Sequence, residues 1–335
     1  MPSIQSGEVL VSGANGFVAT WCVQTFLDAG FSVRGTVRSA VKGKHIKRFF
    51  ASYGDKFELV VVPDITAPGA FDEAVKGVDA IAHTASPFHL AADDPADLSG
   101  PSVRGTIGIL ESARKYGQTV KRIVITSSAV AVTTPKDGPL DEYDWNNGAV
   151  QAVADKGAAA GNVDKYCNSK VLAERGAWEF LDKHRTEVGW DIAVLNPPLI
   201  LRMMFNAFTA SGPTSGGGQW ASVKDVGRAH LLTVTTDLPS YVPLSAVNKK
   251  EGRNVNRFII GGQGFTRQDM LDAAPTQYKK GFPNSITTTM RPRDMDNTRS
   301  QEVLGMEYTS IHETVEETLA DYERRGWIKP LAVSA

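Results

Sequence analysis

The sequence predicts an α/β fold, a doubly wound parallel sheet. Three observations predict it. Short β-rich runs alternate with helical patterns through the first 196 residues. The fifth run, Arg122–Thr126, carries a continuous apolar stretch, as in a strand buried on both faces. A glycine-rich turn joins the first run directly to the first helical pattern, as in βαβ units.

In chain order, Glu8–Ser12 reads as the first strand. The helix behind it places Ala19, Val23, Phe26, Leu27 and Gly30 on one stripe at helical spacing. Strands follow at Ser32–Val37, Phe57–Val62, Val78–His83 and Arg122–Thr126. A helix spans about Tyr166–Leu181, and Ile192–Leu195 is a further strand. After Pro197-Pro198 the rhythm breaks. Residues 203–219, rich in Gly, Ser, Thr and Met, read as a mobile loop or lid. Helical patterns return at Val223–Thr233, Arg267–Ala273 and Ile311–Arg325, with a short strand at Arg257–Ile260. The expected division is a nucleotide-binding unit over 1–196, to which segments near 222–262 return. A substrate-binding region would be built from 197–221 and 263–335, interleaved with it.

Composition narrows the function classes. The chain of 335 residues is 42% hydrophobic and 22% charged, which excludes disorder, collagen and coiled coil. Net charge is −1, from 36 basic and 37 acidic residues, so nothing draws in nucleic acid or an anionic membrane. Cys22 and Cys167 are the two cysteines, too few for a disulfide framework. The N-terminus lacks a basic n-region and an apolar h-region, and no run is long enough to span a bilayer. A cytoplasmic protein, monomer or homodimer, acting on a small molecule is expected.

Gly13-Ala14-Asn15-Gly16-Phe17-Val18-Ala19 forms the turn after the first strand. Gly13 permits a tight turn, Gly16 lets backbone approach a pyrophosphate, and Ala19 keeps helix and strand close. The pyrophosphate would then sit on the unpaired N–H groups of a helix N-terminus, as in a Rossmann-type dinucleotide site. The second strand ends Gly35-Thr36-Val37-Arg38, without the acid that would accept from a ribose 2′-OH. Arg38, with Lys42 expected on the same helical face, suits a 2′-phosphate, so the cofactor read here is NADPH/NADP. Asp64-Ile65 would border the adenine, and Thr84-Ala85-Ser86 the phosphates and ribose.

Ser127-Ser128 ends the fifth strand, and Tyr166 and Lys170 stand at i and i+4 on the next long helix. Reducing a carbonyl needs a hydride and a proton for the developing alkoxide. A tyrosine with pKa near ~10 is a poor match to neutral pH. An ammonium at ~5 Å and effective dielectric ~20 is worth about 3 kcal/mol, or roughly two pKa units. Lys170 is therefore expected to lower the Tyr166 pKa and to bind the nicotinamide ribose, while Ser128 orients the carbonyl.

These motifs resemble the extended short-chain dehydrogenase/reductase family. The likeness is to yeast and fungal NADPH-dependent methylglyoxal and carbonyl reductases and to dihydroflavonol-reductase-like proteins. It covers nearly the whole chain, through Val11–Ala19, Val62-Pro63-Asp64-Ile65, His83–Phe88, Thr126-Ser127-Ser128 and Asp141–Asn146. It continues through Tyr166–Lys170, Asn196-Pro197-Pro198 and Val223–His230. The resemblance implies catalysis by Ser128, Tyr166 and Lys170, and places Pro197 and Ile200 at the cofactor. In the family a Gly-Pro turn usually follows Asn-Pro-Pro, where this chain has Leu201-Arg202-Met203-Met204. Phe88, Ala129, Leu199 and Met204 are candidates for the apolar substrate wall, and a Met-containing rim would tolerate bulky ketones.

Other features receive plainer readings. His83 is expected to be a strand-end histidine satisfied by backbone. Asp141, Glu142 and Asp144 are expected in a solvated loop, and Cys167 as an inert thiol. The histidines have no metal-ligand spacing, so no metal is expected. An epimerase or hydroxysteroid dehydrogenase on the same fold would favour NAD, against Arg38. A redox-sensing NADP-binding regulator would not need Ser128, Tyr166 and Lys170 together.

Overall fold

The computed structural model describes residues 3–86, 92–200, 217–239, 256–261, 264–275 and 294–328. Among them, a seven-stranded, all-parallel sheet runs in the order β3-β2-β1-β4-β5-β6-β9. Its strands are β1 (Glu8–Val11), β2 (Ser32–Val37), β3 (Phe57–Val61), β4 (Ala80–His83), β5 (Arg122–Thr126), β6 (Asp191–Asn196) and β9 (Arg257–Ile259). Strand order reverses between β1 and β4, so a crevice opens at the C-terminal edge above the turn that leaves β1.

Alternation along each strand divides the core. Val9, Val11, Ala80, Ala82, Val124, Ala193 and Leu195 face one apolar layer. Leu10, Ile81, Ile123, Ile125, Ile192 and Val194 face the other. On the first face pack α1 (Phe17–Asp28) and α6 (Val223–Thr235); on the second, α3 (Ala96–Tyr116) and α5 (Asn162–His184). Helix α1 contributes Ala19, Val23, Phe26 and Leu27, as its stripe predicts, and Cys22 besides. Gly30 departs from that stripe: it lies beyond the helix, exposed, at φ +92°, where it turns the chain into β2. Gly227 of α6 has a different task. A Cβ there would come within 2.8 Å of the Thr25 hydroxyl and 3.1 Å of the Trp21 carbonyl, so only glycine allows α6 this close to α1.

The later segments interleave. Strand β9 adds to the edge of the main sheet beside β6. A second sheet in the order β10-β8-β7 joins β7 (Leu199–Ile200), β8 (Gly217–Ala221) and β10 (Gly264–Thr266). Residues 217–219 are therefore strand, not loop, because backbone pairing with β10 outweighs glycine's weak strand preference. The rest of the expected loop, 203–216, lies outside the described residues. Three more helices follow, α7 (Arg267–Ala273), α8 (Thr298–Leu304) and α9 (Ile311–Arg324). Two others, α2 (Ala40–Phe49) and α4 (Asn147–Lys156), complete those named here.

A buried ion pair ties strands to helix. Arg122 and Asp191, both fully buried, meet through Nε–Oδ1 at 3.0 Å and Nη2–Oδ2 at 3.2 Å. Arg122 Nη1 also donates to the carbonyls of Thr233 and Thr236 at the end of α6. Asp191→Ala strands the guanidinium in an apolar layer and should lower unfolding stability by about 3–5 kcal/mol. Denaturant unfolding measures it, and an unchanged midpoint would contradict the assignment.

Candidate active site

The turn after β1 has the backbone features that could hold an anion. Gly13 stands at φ +69°, a conformation glycine adopts freely, and an added Cβ would press on Ala85 at 3.2 Å. The Gly13 and Ala14 amides donate to the hydroxyl and carbonyl of Thr36, pinning the turn to β2. Helix α1 opens at Gly16 with no side-chain cap, and Asn15 and Gly16 are exposed at this helix N-terminus, the end that favours anions. Phe17 and Val18 are half-buried in its first turn. These features fit a pyrophosphate.

Arg38 and Lys42 are both exposed beside this turn. They do not share a helical face: Ser39 caps α2 by accepting from the Lys42 amide, so Arg38 precedes the helix. Asp64, after β3, accepts from the amide and hydroxyl of Thr66, which hold its carboxyl below the usual range with help from Arg104 and Arg38. Ile65 packs toward Gly105 of α3. Arg104 thus joins Arg38 near Asp64, a neighbour the spacing of the chain did not indicate.

Ser12, quoted above without a role, organises the loop after β4. Its hydroxyl accepts from the amides of Thr84 (3.0 Å) and Ala85 (2.9 Å) and lies 3.0 Å from His83 Nδ1. His83 is therefore held by a side chain rather than by backbone, and its Nε2 has no partner among the described residues. Thr84 bonds back to the Ser12 carbonyl. Ser86 accepts from the Lys170 ammonium at 3.0 Å.

Ser128, Tyr166 and Lys170 converge at the same edge. The Tyr166 hydroxyl is hydrogen-bonded to Ser128. Lys170 Nζ lies 5.9 Å from the Tyr166 ring centroid. Burial pushes Tyr166 up to about 12, the Ser128 bond opposing it. The expected lowering by Lys170 does not appear, because the ammonium bonds Ser86 and burial dominates the phenol. Burial also brings Lys170 down to about 8, against the pull of Glu174. Cys167 is buried and its thiol is raised to about 11, an inert group.

One expectation near the site is corrected. Glu142 and Asp144 are buried, not solvated: Glu142 accepts from the Ile259 amide, and Asp144 pairs with Lys136. Burial raises Glu142 to about 7. Of the proposed substrate wall, Leu199 is 40% exposed on β7, and Ala129 packs into a small core with Val132, Leu140, Ile259 and Met295. Phe88 and Met204 lie outside the described residues. Pro197 and Ile200 are buried beside the end of β6, and the Pro197 carbonyl accepts from the Ala129 amide.

Glu174, to which no role was given from sequence, is buried one turn beyond Lys170. It accepts from Ser127 at 2.5 Å and Asn196 at 2.9 Å, and pairs with Arg257. An acid four residues after Lys170 on the buried side of α5 was the available signal.

Residues 9–181 match the model of the NAD dependent epimerase/dehydratase family. The chain belongs to that family. Membership bears out the extended short-chain dehydrogenase/reductase resemblance, and the relatives refine it. The chain is 31% identical to ketoreductase azaE of Aspergillus niger, over 92% of this chain and 95% of the relative. It is also 31% identical to NADPH-dependent methylglyoxal reductase GRE2 of Saccharomyces cerevisiae, over 93% and 96%. The crystal structure of yeast methylglyoxal/isovaleraldehyde reductase Gre2 complexed with NADPH superimposes with a TM-score of 0.81. That match covers 96% of this chain and 100% of the other at 28% identity. No helix among the described residues is long and apolar enough to cross a membrane.

Proposed function

We propose that the protein is an NADPH-dependent carbonyl reductase, converting ketones and aldehydes to alcohols. The observation that carries this reading is the Tyr166–Ser128 hydrogen bond with Lys170 one turn away, at the sheet edge beside the Gly13 turn. Bound NADPH supplies the hydride. Ser128 donates a hydrogen bond to the carbonyl oxygen and holds it beside Tyr166. Tyr166, protonated at neutral pH and kept so well above it by burial, gives its proton to that oxygen as negative charge develops there. Lys170 places positive charge beneath the phenol to offset the tyrosinate left behind, while burial, which raises Tyr166, is what favours its reprotonation. Amides at the start of α1 and the Gly13 turn hold the pyrophosphate. Arg38, with Lys42 nearby, holds the 2′-phosphate. The proposed compartment is the cytosol, in keeping with two buried, unpaired thiols.

The test follows loss of NADPH absorbance with methylglyoxal, an aliphatic aldehyde, an aryl ketone and a β-keto ester, with NADH in parallel. Turnover that requires NADPH supports the reading. No turnover with any of them, despite tight NADPH binding, would favour a regulator. Arg38→Ala should raise the KM for NADPH about tenfold or more, since charge-assisted bonds are lost, and leave that for NADH nearly unchanged. Equal effects on both cofactors would remove Arg38 from the 2′-phosphate site.

A further inference from the structure

Glu174 is 1% exposed in α5, and its carboxylate joins the ends of three strands. Oε2 accepts from the Ser127 hydroxyl after β5 and from Asn196 Nδ2 at the end of β6; Oε1 meets Arg257 Nε on β9. Asn196 Nδ2 is shared, because it also donates to the Ser128 carbonyl at 3.1 Å. Arg257 is itself fully buried. Its Nη1 donates to the carbonyls of Glu142 and Asp144, and its guanidinium lies 3.8 Å from the Trp145 ring centroid.

We propose that Glu174 is a positioning residue for the reaction, holding Ser128 in register with Tyr166 and Lys170 through Ser127, Asn196 and Arg257. The proposal rests on the reading of those three residues as the reacting groups. Apart from its bond to Tyr166, Ser128 has other anchors only within its own turn. There its carbonyl accepts from the Ala131 amide at 2.9 Å and its hydroxyl from the Val130 amide at 3.4 Å, so Asn196 is what ties its backbone to β6 and α5. Asn196 fixes that backbone only while its amide points N–H toward both the Ser128 carbonyl and Glu174. A glutamine at 174 has one acceptor for donors on two sides. Its NH2 would face either Arg257 Nε or Asn196 Nδ2. Turning Asn196 over relieves the second clash but sets its oxygen against the Ser128 carbonyl. Either arrangement reaches the site.

Charge gives a second consequence. Lys170 and Glu174 are neighbours at i and i+4 on α5. The charged and titratable groups around Glu174 are Lys170 and Arg175 of α5 and Arg257 of β9. Those around Lys170 are Glu174, Tyr166 and, from β4, the neutral ring of His83. Removing the carboxylate takes away the negative charge that opposes the effect of burial on Lys170, which then sheds its proton more easily.

The experiment compares Glu174→Gln, Ser127→Ala and Tyr166→Phe with the native chain, reading kcat against pH and NADPH binding by fluorescence. Rates are normalised to NADPH-binding sites, so partial unfolding does not register as lost catalysis. Glu174→Gln should lower kcat about tenfold or more. It should also move the alkaline limb about one pH unit lower, with NADPH affinity close to native. Ser127→Ala keeps the charge and should lower kcat several-fold with the limb in place. A merely structural role would reduce the number of binding sites and move neither kcat per site nor the limb. If Glu174→Gln does not fold, Ser127→Ala decides alone, and a native kcat per site there overturns the proposal. Full activity in Tyr166→Phe overturns the reading of the reacting groups and this proposal with it. Loss in Tyr166→Phe beside a native Glu174→Gln overturns the Glu174 role only.

Discussion

Tyr166→Phe is expected to lower turnover of a good carbonyl substrate by about 10²–10⁴-fold while NADPH binding stays near native. The change removes one oxygen and keeps the ring, so the packing of α5 against the loop after β5 survives. What is lost is the proton source and the hydrogen-bond partner of Ser128. The phenol is raised to about 12 by burial, so it is fully protonated through the working range and does not itself set an alkaline limit. Lys170 does, because burial brings its ammonium down to about 8. Reduction should therefore hold from neutrality to near pH 8 and fall above it as the positive charge beneath Tyr166 disappears. Ser128→Ala should reduce kcat with a smaller loss than Tyr166→Phe, since Tyr166 still reaches the carbonyl oxygen. A Tyr166→Phe enzyme as fast as the native one would remove the tyrosine from proton transfer and leave Ser128 or solvent as the donor.

Much of this site was legible because its parts are local in sequence. The Gly13–Gly16 turn, the Ser128 end of β5 and the Tyr166/Lys170 spacing each express one chemical demand within a few residues. Strands such as Arg122–Thr126 were equally plain, because an apolar residue at each inner position reflects burial on both sheet faces. Helix α3 was not named, since Gly100, Pro101, Gly105 and Gly108 dilute its periodicity; packing of Ile109, Leu110 and Ala113 against the sheet sustains it. Glu142, Glu174 and Arg257 were missed for another reason. Each is a charged residue that sequence alone reads as solvated, and its burial depends on partners up to 117 positions away. Ser12 was overlooked likewise, because its contact with His83 spans 71 positions. The acidity of Tyr166 was misjudged because pair spacing predicts a Coulomb interaction but not the burial that outweighs it.

Two buried histidines make acid the condition under which this fold should fail. His230 Nδ1 lies 2.7 Å from the Val226 carbonyl and must donate to it, so Nε2 accepts from the Thr126 hydroxyl at 2.7 Å. For His83, the Ser12 oxygen already accepts two amides, so its hydroxyl donates to Nδ1 and the ring proton sits on Nε2. Protonating Nδ1 would set a donor against a donor and a second positive charge beside Lys170. Burial accordingly lowers His83 to about 3, Lys170 adding to the shift, and burial lowers His230 to about 4. Both folded values lie below the ordinary 6.5. Their contribution is complete above that pH and is lost as pH falls below it, because the unfolded chain then takes up protons that the native state refuses. Glu142, raised to about 7 by burial, works the other way, as do Asp225 and Glu8, which burial also raises. The total slope is thus smaller than two histidines alone would give, and a difference between variants isolates the effect. His83→Gln keeps an acceptor for the Ser12 hydroxyl and removes the titration. Between about pH 4.5 and 6.5 it should flatten the fall in stability by about 1.4 kcal/mol per pH unit relative to the native chain. Denaturant midpoints across that window provide the measurement. Parallel slopes in the two proteins would mean that His83 takes up its proton in the native state, and that Ser12 or Lys170 moves to admit it.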